Sequence, residues 1–196
     1  MDHLHLRRLA ILYGILATLA VWIGLVLLQN LLATFVCFHL LVCCGVPLLH
    51  GWREGNLRER WRVAWRQLFS DAEGLFVGLA TGTVLCLVIV AGLGMLLQSG
   101  ASAEWVRHIL TQWGLTEMWL WLFIIYIILV NSLLEELMWR GFLLELLEKA
   151  TSPVTAMVIS SFFYALYHII IGSMLFGWKW GIVITVAVFF CGFVLG

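Results

Sequence analysis

Charged residues are scarce in this chain, and their scarcity decides its class. Only 11% of the 196 residues are Asp, Glu, Lys or Arg, whereas 63% are hydrophobic. A soluble domain carries about 25% charged residues, so this composition excludes one and is typical of a polytopic membrane protein. The formal net charge is zero, so the overall basic field of a nucleic-acid-binding protein is missing. We therefore expect an all-α transmembrane bundle.

Cysteine pairs and zinc-binding patterns are also lacking. None of the five cysteines belongs to a CxxC pair, and no HExxH occurs. All five lie in apolar runs, which indicates small buried side chains rather than a disulfide or zinc framework. They are Cys37, Cys43, Cys44, Cys86 and Cys191. A metal bound within one helix by Cys37, His39, Cys43 and Cys44 is an alternative that the spacing leaves open.

Long apolar runs predict about six spans. Asn30 separates the first span from the second, and Thr151-Ser152-Pro153 supplies an N-cap and a first-turn proline for the fifth span. Between the fifth and sixth we expect an outer turn over Gly172–Trp180. The predicted spans are Leu9–Gln29, Leu31–Leu49, Leu75–Leu97 with the GxxxG pair Gly78 and Gly82, Met118–Ala150, Val154–Ile171 and Gly181–Gly196. The last span ends without a polar flank, which favours a truncated record.

Basic residues are divided unequally between the two sides of these spans. The loop His50–Ala72 carries five arginines, and its Leu and Trp residues fall on one helical stripe, which predicts a basic amphipathic helix at a lipid headgroup surface. A solvated regulatory helix is the alternative. The richer side holds Arg7, Arg8, Arg53, Arg58, Arg60, Arg62, Arg66 and Lys149, against Arg107 and Lys179 on the other. The positive-inside rule therefore predicts a cytoplasmic N-terminus.

Two adjacent carboxylates and an arginine interrupt the fourth span. Ionisable groups in such a segment cost several kcal/mol if they face lipid, so they are usually turned inward and functional. Glu136 and Arg140 are i,i+4 neighbours and are expected to neutralise each other. Glu135 points about 100° away, with Asn131 one turn before it as a hydrogen-bond partner, and is left for chemistry. The alternative is that all of them only hold helices together.

His168 in the fifth span is the second half of this candidate site. Tyr164 lies one turn before it on the same face. Glu135 and His168 are each about 22–25 Å from the turn between the two helices, so antiparallel packing would place them at the same depth. A carboxylate beside an imidazole in a water-poor pocket suits general-base activation of a water molecule.

These two stretches resemble a known family. Glu135-Glu136-Leu137-Met138-Trp139-Arg140 has the form EExxxR, and Tyr164-Ala165-Leu166-Tyr167-His168 has the form FxxxH with Tyr in place of Phe. Together they resemble the CPBP family of CAAX prenyl endopeptidases and bacteriocin-processing (Abi-type) intramembrane proteases, over roughly Glu117–Gly196. Phe189, Gly192 and Gly196 fit the small-residue helix that precedes the family's last motif.

The resemblance implies a role for each matching residue. Glu135 would activate the attacking water, His168 would position or polarise it, and Glu136 with Arg140 would brace the site, supported by Asn131 and Tyr164. The family's last motif, a histidine followed four residues later by Asn or Asp, does not occur before the chain stops. Zinc is implied by family naming only; a glutamate-dependent mechanism without metal is preferred here, and a metalloprotease is the alternative that stays open.

The sequence thus predicts one transmembrane domain over 1–196, with N-terminal spans in 1–115 and a CPBP-like core in 116–196 that is incomplete at its C-terminus. Its predicted partners are membrane lipid and a peptide or membrane-protein substrate, without nucleic acid, and its composition resembles that of a bacterial inner-membrane protein. The competing functions are a non-catalytic scaffold or bacteriocin-immunity protein and a proton-coupled transporter.

Overall fold

The computed structural model describes residues 3–55, 87, 91–92, 94–96, 98 and 102–195. The described chain is helical, and no strand occurs in these ranges. Its helices are α1 (His3–Leu27), α2 (Leu31–Glu54), α3 (Ala103–Gln112), α4 (Glu117–Glu148), α5 (Pro153–Phe176) and α6 (Trp178–Leu195). Beyond Gly55, the predicted basic helix lies outside the described residues, as does the Gly78/Gly82 pair. The predicted third span is described only at isolated positions.

Four of these helices are long and apolar enough to cross a membrane: α1, α2, α4 and α5. The shorter helix α6 is also apolar. Large hydrophobic side chains are exposed along them, among them Trp121 at 72% and Leu129 at 63%. A soluble surface rarely carries so much contiguous apolar area, and a bilayer covers it without cost. The protein is therefore a multi-pass membrane protein.

The helix ends follow the predicted capping residues. The Asn30 side chain accepts a 2.9 Å hydrogen bond from the Ala33 amide and starts α2. The Ser152 hydroxyl accepts from the Thr155 amide at 3.3 Å, and Pro153 takes the first position of α5. Both breaks predicted from the sequence are confirmed, because each supplies a side-chain acceptor to amides that have no partner within the helix.

The predicted outer turn over Gly172–Trp180 is wrong in its extent. Helix α5 continues to Phe176 and α6 begins at Trp178, so Gly177 alone reverses the chain, with a φ of 86°. Gly172 packs against the backbone of Gly181 on the facing helix. These two glycines allow close helix contact rather than a loop, which is a use of small residues that composition alone does not separate from turn formation.

Two hydrogen bonds between distant segments fix which ends of the helices lie together. The His3 ring donates to the Lys149 carbonyl at 2.8 Å, so the N-terminus lies beside the turn between α4 and α5. At the opposite end, the Trp105 indole donates to the Met174 carbonyl at 3.3 Å. The N-terminal arginines and Lys149 therefore share one end of the bundle, as the charge distribution predicts.

Helix α4 is packed unevenly along its length. No residue of its first ten, Glu117–Tyr126, is buried. In its second half Met138, Trp139 and Leu143 are almost completely buried against α1, α2 and α5. The charged stretch lies where the exposed half passes into the packed half, so Glu135 and Arg140 are partly buried while Glu136 is exposed.

Candidate active site

Glu135 lies in a short α-helical piece of α4, Ser132–Met138, between two π-helical stretches, Ile127–Asn131 and Trp139–Leu144. π-Helical turns are rare and occur often at functional sites, because they rotate the following side chains relative to a regular helix. The Glu135 side chain is partly buried. The rotation on both sides of it sets which neighbours its carboxylate meets.

Two side chains contact the Glu135 carboxylate. The Tyr167 hydroxyl, from α5, donates to Oε1 at 2.7 Å. The Asn131 side chain, one turn earlier on α4, interacts with the same carboxyl group. A carboxylate offers about four acceptor sites, so these two contacts hold its orientation and still leave room for a water molecule.

Glu136 and Arg140 form the ion pair that their spacing predicts. The Arg140 side chain is 19% exposed, whereas the Glu136 side chain is 57% exposed. The Arg140 guanidinium also lies 5.7 Å from the centre of the Tyr164 ring, in a cation–π arrangement. Arg140 therefore connects α4 to α5 beside Glu135, while Glu136 faces outward and is removed from the hydrogen bonds around the catalytic candidate.

His168 has its protonation pattern fixed by the backbone. Its Nδ1 donates to the Tyr164 carbonyl at 2.9 Å. A carbonyl oxygen can only accept, so Nδ1 carries the hydrogen, and in the neutral ring Nε2 is the acceptor. The His168 ring stacks on Tyr167 with 4.4 Å between the ring centres. Of the two ring nitrogens of His168, Nε2 is therefore the one that can accept a hydrogen bond.

Tyr167 connects the two halves of the site. It donates to Glu135 and stacks on His168, and it is 2% exposed. Within the described residues no hydrogen bond joins Glu135 directly to His168. Both residues lie at the same depth, as the equal distances from the turn predict. The predicted direct or single-water contact between carboxylate and imidazole stays a prediction.

Helix α6 closes this region from the third side. A Cβ on Gly192 would lie 3.0 Å from the Tyr164 ring and 3.3 Å from the Ser161 side chain. Only a residue without a side chain fits there without displacing Tyr164. The small-residue helix that the resemblance implies therefore packs directly against the tyrosine one turn before His168.

A comparison with protein families agrees with this arrangement. It matches residues 117–196 to the family described as type II CAAX prenyl endopeptidase, Rce1-like. This C-terminal part of the chain is Rce1-like. The match begins with α4 and contains Glu135, Glu136, Arg140, Tyr164 and His168. No curated protein and no solved structure matches the chain significantly.

Three residues that contact the site were not among the site residues predicted from the sequence. Tyr167 lies within the Rce1-like segment next to His168, and Tyr126 lies in α4. His39 comes from α2, outside the matched segment, and was considered only as a metal ligand. Its Nε2 lies 2.9 Å from the Asn131 side-chain oxygen. The sequence feature that could have identified His39 is its place in an apolar span, since a histidine there costs free energy unless it has a polar partner.

The described part of the chain does not provide a zinc ligand set. No three His, Cys, Asp or Glu side chains come together among the described residues. Catalytic zinc takes about three protein ligands. Among the site residues that the structure describes, Glu135 and His168 are the predicted ligands, and Glu135 already accepts a hydrogen bond from Tyr167. We derive no step through a metal.

Proposed function

We propose that this protein is an intramembrane endopeptidase in which Glu135 activates the attacking water and His168 orients it. The observation that carries the proposal is the Tyr167 bridge, which donates to Glu135 and stacks on His168. The Rce1-like match over residues 117–196 supports the same chemistry, since that family is one of proteases. Glu136 and Arg140 brace the helix pair without touching the substrate.

The proposed reaction uses the two acceptors left open by the hydrogen bonds. A water molecule donates one hydrogen to Glu135 and the other to the Nε2 atom of His168. Glu135 takes the proton as the water oxygen bonds to the scissile carbonyl carbon. When the C–N bond breaks, the same proton passes to the leaving nitrogen, so the products are an amine and a carboxylic acid, which keeps the second water hydrogen until it ionises in solvent. Tyr167 and Asn131 keep the carboxylate turned toward this water throughout.

The substrate of the proposed reaction is a membrane-associated peptide or protein, prenylated or otherwise lipophilic. Glu135 lies 18 residues from the start of α4 and 13 from its end. These lengths correspond to about 27 Å and 20 Å, which places the carboxylate within the thickness of the bilayer. A bond cleaved there must belong to a chain that enters the membrane.

The proposal includes an orientation for the bundle. The end that holds His3 and Lys149 faces the cytoplasm, the chain crosses the membrane about six times, and the host membrane is the bacterial inner membrane. The His3–Lys149 hydrogen bond supports this, because it joins the two basic segments at one end. Arg107 lies in α3 at the other end, beside the C-terminal part of α5.

The experiment uses the whole chain in liposomes with a pair of fluorogenic peptides that differ only in a farnesyl group on one cysteine. Cleavage in H₂¹⁸O should place ¹⁸O in the new carboxyl group, and Glu135→Gln should lower turnover by at least 1000-fold. Glu145→Gln, on the same helix and away from the site, is the control and should keep turnover within twofold. Turnover that survives in Glu135→Gln overturns the mechanism. Binding without cleavage by the unmodified protein would favour the scaffold, and proton flux would favour the transporter.

A further inference from the structure

His39 lies at the centre of a hydrogen-bonded chain that leads to Glu135. It is 1% exposed, within the π-helical stretch Val36–Gly45 of α2. Its Nδ1 lies 2.7 Å from the Tyr126 hydroxyl, and its Nε2 lies 2.9 Å from the Asn131 side-chain oxygen. Both ring nitrogens are therefore engaged, and both partners belong to α4.

The direction of each hydrogen bond follows from the chemistry of Asn131. Its side-chain oxygen can only accept, so Nε2 of His39 carries the hydrogen. In the neutral ring Nδ1 then accepts from the Tyr126 hydroxyl. The amide nitrogen of Asn131 is then the end of that side chain that can interact with Glu135. His39 thus decides which end of the Asn131 amide faces the catalytic carboxylate.

Aromatic packing holds the His39 ring in this position. Phe35 stacks on it with ring centres 5.2 Å apart, and Phe38 lies 5.0 Å away. Phe38 also packs against Tyr167 at 5.0 Å. Helix α2 therefore lies behind both residues that contact Glu135: it holds Asn131 by a hydrogen bond and Tyr167 by a ring contact.

We propose that His39 is a positioning residue for Glu135, so that α2 completes a site whose other parts lie in the Rce1-like segment. The inference rests on the proposed function, since positioning matters only if Glu135 acts as the base. A buried histidine needs partners merely to be tolerated in a membrane. What assigns a role to this one is that its hydrogen bond determines the orientation of an amide that ends on the carboxylate.

The test compares two replacements of His39. His39→Gln keeps an N–H donor near the position of Nε2, whereas His39→Leu removes the donor and keeps an apolar volume. We expect His39→Leu to lower kcat about 10- to 100-fold with KM within twofold, the behaviour of a residue that acts in the transition state. His39→Gln should keep kcat within about fivefold of the original.

His50 supplies a matched control on the same helix. It is also a buried histidine, at 5% exposed, and it contacts Tyr13 and Phe142 rather than Asn131. His50→Leu should lower the melting temperature without changing kcat of the folded protein. A loss of kcat in His50→Leu equal to that in His39→Leu would show that any buried histidine of α2 is only structural, and would overturn the proposal.

A double substitution tests the path through Asn131. If His39 acts by orienting that amide, His39→Leu combined with Asn131→Ala should be no slower than Asn131→Ala alone. If the losses of kcat in the two single variants add fully in the double variant, His39 does not act through Asn131.

A chemical readout separates this inference from the proposed function. Dicyclohexylcarbodiimide labels carboxyl groups within membranes, and mass spectrometry gives the rate at Glu135 without any need for turnover. His39→Leu and Asn131→Ala should both raise that rate at least threefold, because the carboxyl group loses restraint, and His50→Leu should not. Unchanged labelling in His39→Leu overturns the positioning role. Turnover that survives in Glu135→Gln while labelling responds to His39 overturns only the peptidase mechanism.

Discussion

Tyr167 donates a 2.7 Å hydrogen bond to Glu135 while its ring stacks on His168, 4.4 Å between the ring centres. One tyrosine therefore fixes both the carboxylate and the imidazole of the proposed site. Its own position is fixed by Trp139 and Phe38, whose rings lie 6.0 Å and 5.0 Å away. Removing its hydroxyl should disturb the chemistry far more than the packing.

Tyr167→Phe should lower kcat about 10- to 100-fold, the range expected when a hydrogen bond of about 1.5–3 kcal/mol to a charged group is lost. The ring contacts remain, so the melting temperature should change little. Steady-state kinetics and thermal unfolding in detergent measure the two effects. Tyr13→Phe is the control, because its hydroxyl interacts with His50 and not with the site. Equal losses of kcat in the two variants would remove the special role of Tyr167.

The spacing of the acidic pair predicted its division of labour, and the burial of its members changes the expected size. A buried pair that loses one partner costs about 3–5 kcal/mol, whereas an exposed pair contributes about 0–1 kcal/mol. With Arg140 at 19% exposed and Glu136 at 57%, the pair lies between these limits. Glu136→Gln should therefore reduce the free energy of unfolding by about 1–3 kcal/mol.

The same variant should keep kcat within about threefold, since Glu136 does not contact Glu135's hydrogen-bond donors. Glu135→Gln should do the opposite and leave stability intact. Denaturant unfolding and peptide cleavage, measured on the same preparations, distinguish the two. If Glu136→Gln loses turnover as completely as Glu135→Gln at unchanged stability, the roles were assigned the wrong way round.

The sequence predicts the positions of the helices better than it predicts the contacts between their side chains. Apolar run lengths and capping residues locate the helices, and the distance of Glu135 and His168 from their common turn gives the depth. The rotation of α5 about its own axis is not given by these distances. Neighbouring residues on a helix point about 100° apart, so spacing cannot decide whether Tyr167 or His168 faces Glu135. The choice depends on a local irregularity: the Ile170 amide bonds to the Tyr167 carbonyl at 3.1 Å, an i+3 bond that interrupts α5.

The role of α2 was beyond sequence reasoning for a similar reason. His39 lies 92 residues from Asn131, and no periodicity relates two helices so far apart in the chain. In addition, α2 is π-helical from Val36 to Gly45, so a regular helical wheel assigns its side chains to the wrong faces. The hydrophobic pattern identifies the span, but tertiary contacts decide which of its polar atoms meet a partner.

Gly172 is predicted to be essential for the contact between α5 and α6. A Cβ there would lie 2.9 Å from the Cα of Gly181, a backbone atom that cannot move aside alone. Gly172→Ala should therefore destabilise the protein by about 1–3 kcal/mol, as overpacking does. Gly141→Ala is the matched control: its nearest contact would be 3.8 Å, and alanine favours a helix by about 1 kcal/mol. Thermal unfolding of both variants decides, and equal stabilities would contradict the close approach.

Metal removal should leave turnover unchanged. The described residues bring no three His, Cys, Asp or Glu side chains together, and the proposed mechanism needs only Glu135, His168 and water. Incubation with 1,10-phenanthroline should keep kcat within about twofold, as should its non-chelating 1,7 isomer, which controls for membrane effects. Inhibition by the chelating isomer alone, reversed by added zinc, would show that residues beyond those described complete a metal site.

The orientation of the bundle gives the last prediction. The hydrogen bond from His3 to the Lys149 carbonyl requires that both segments lie on one side of the membrane, whatever that side is. The positive-inside rule makes it the cytoplasmic side, together with Arg62 in the basic segment outside the described residues. Fluorescent-protein fusions at the N-terminus, after Arg62 and after Lys149 should therefore be bright, and an alkaline phosphatase fusion after Glu104 should be active. If the fusions at Lys149 and at the N-terminus report opposite sides of the membrane, the packing of these two segments at one end of the bundle is contradicted. A consistent inversion of all sites would instead leave the bundle intact and contradict only the cytoplasmic assignment of the end that holds His3 and Lys149.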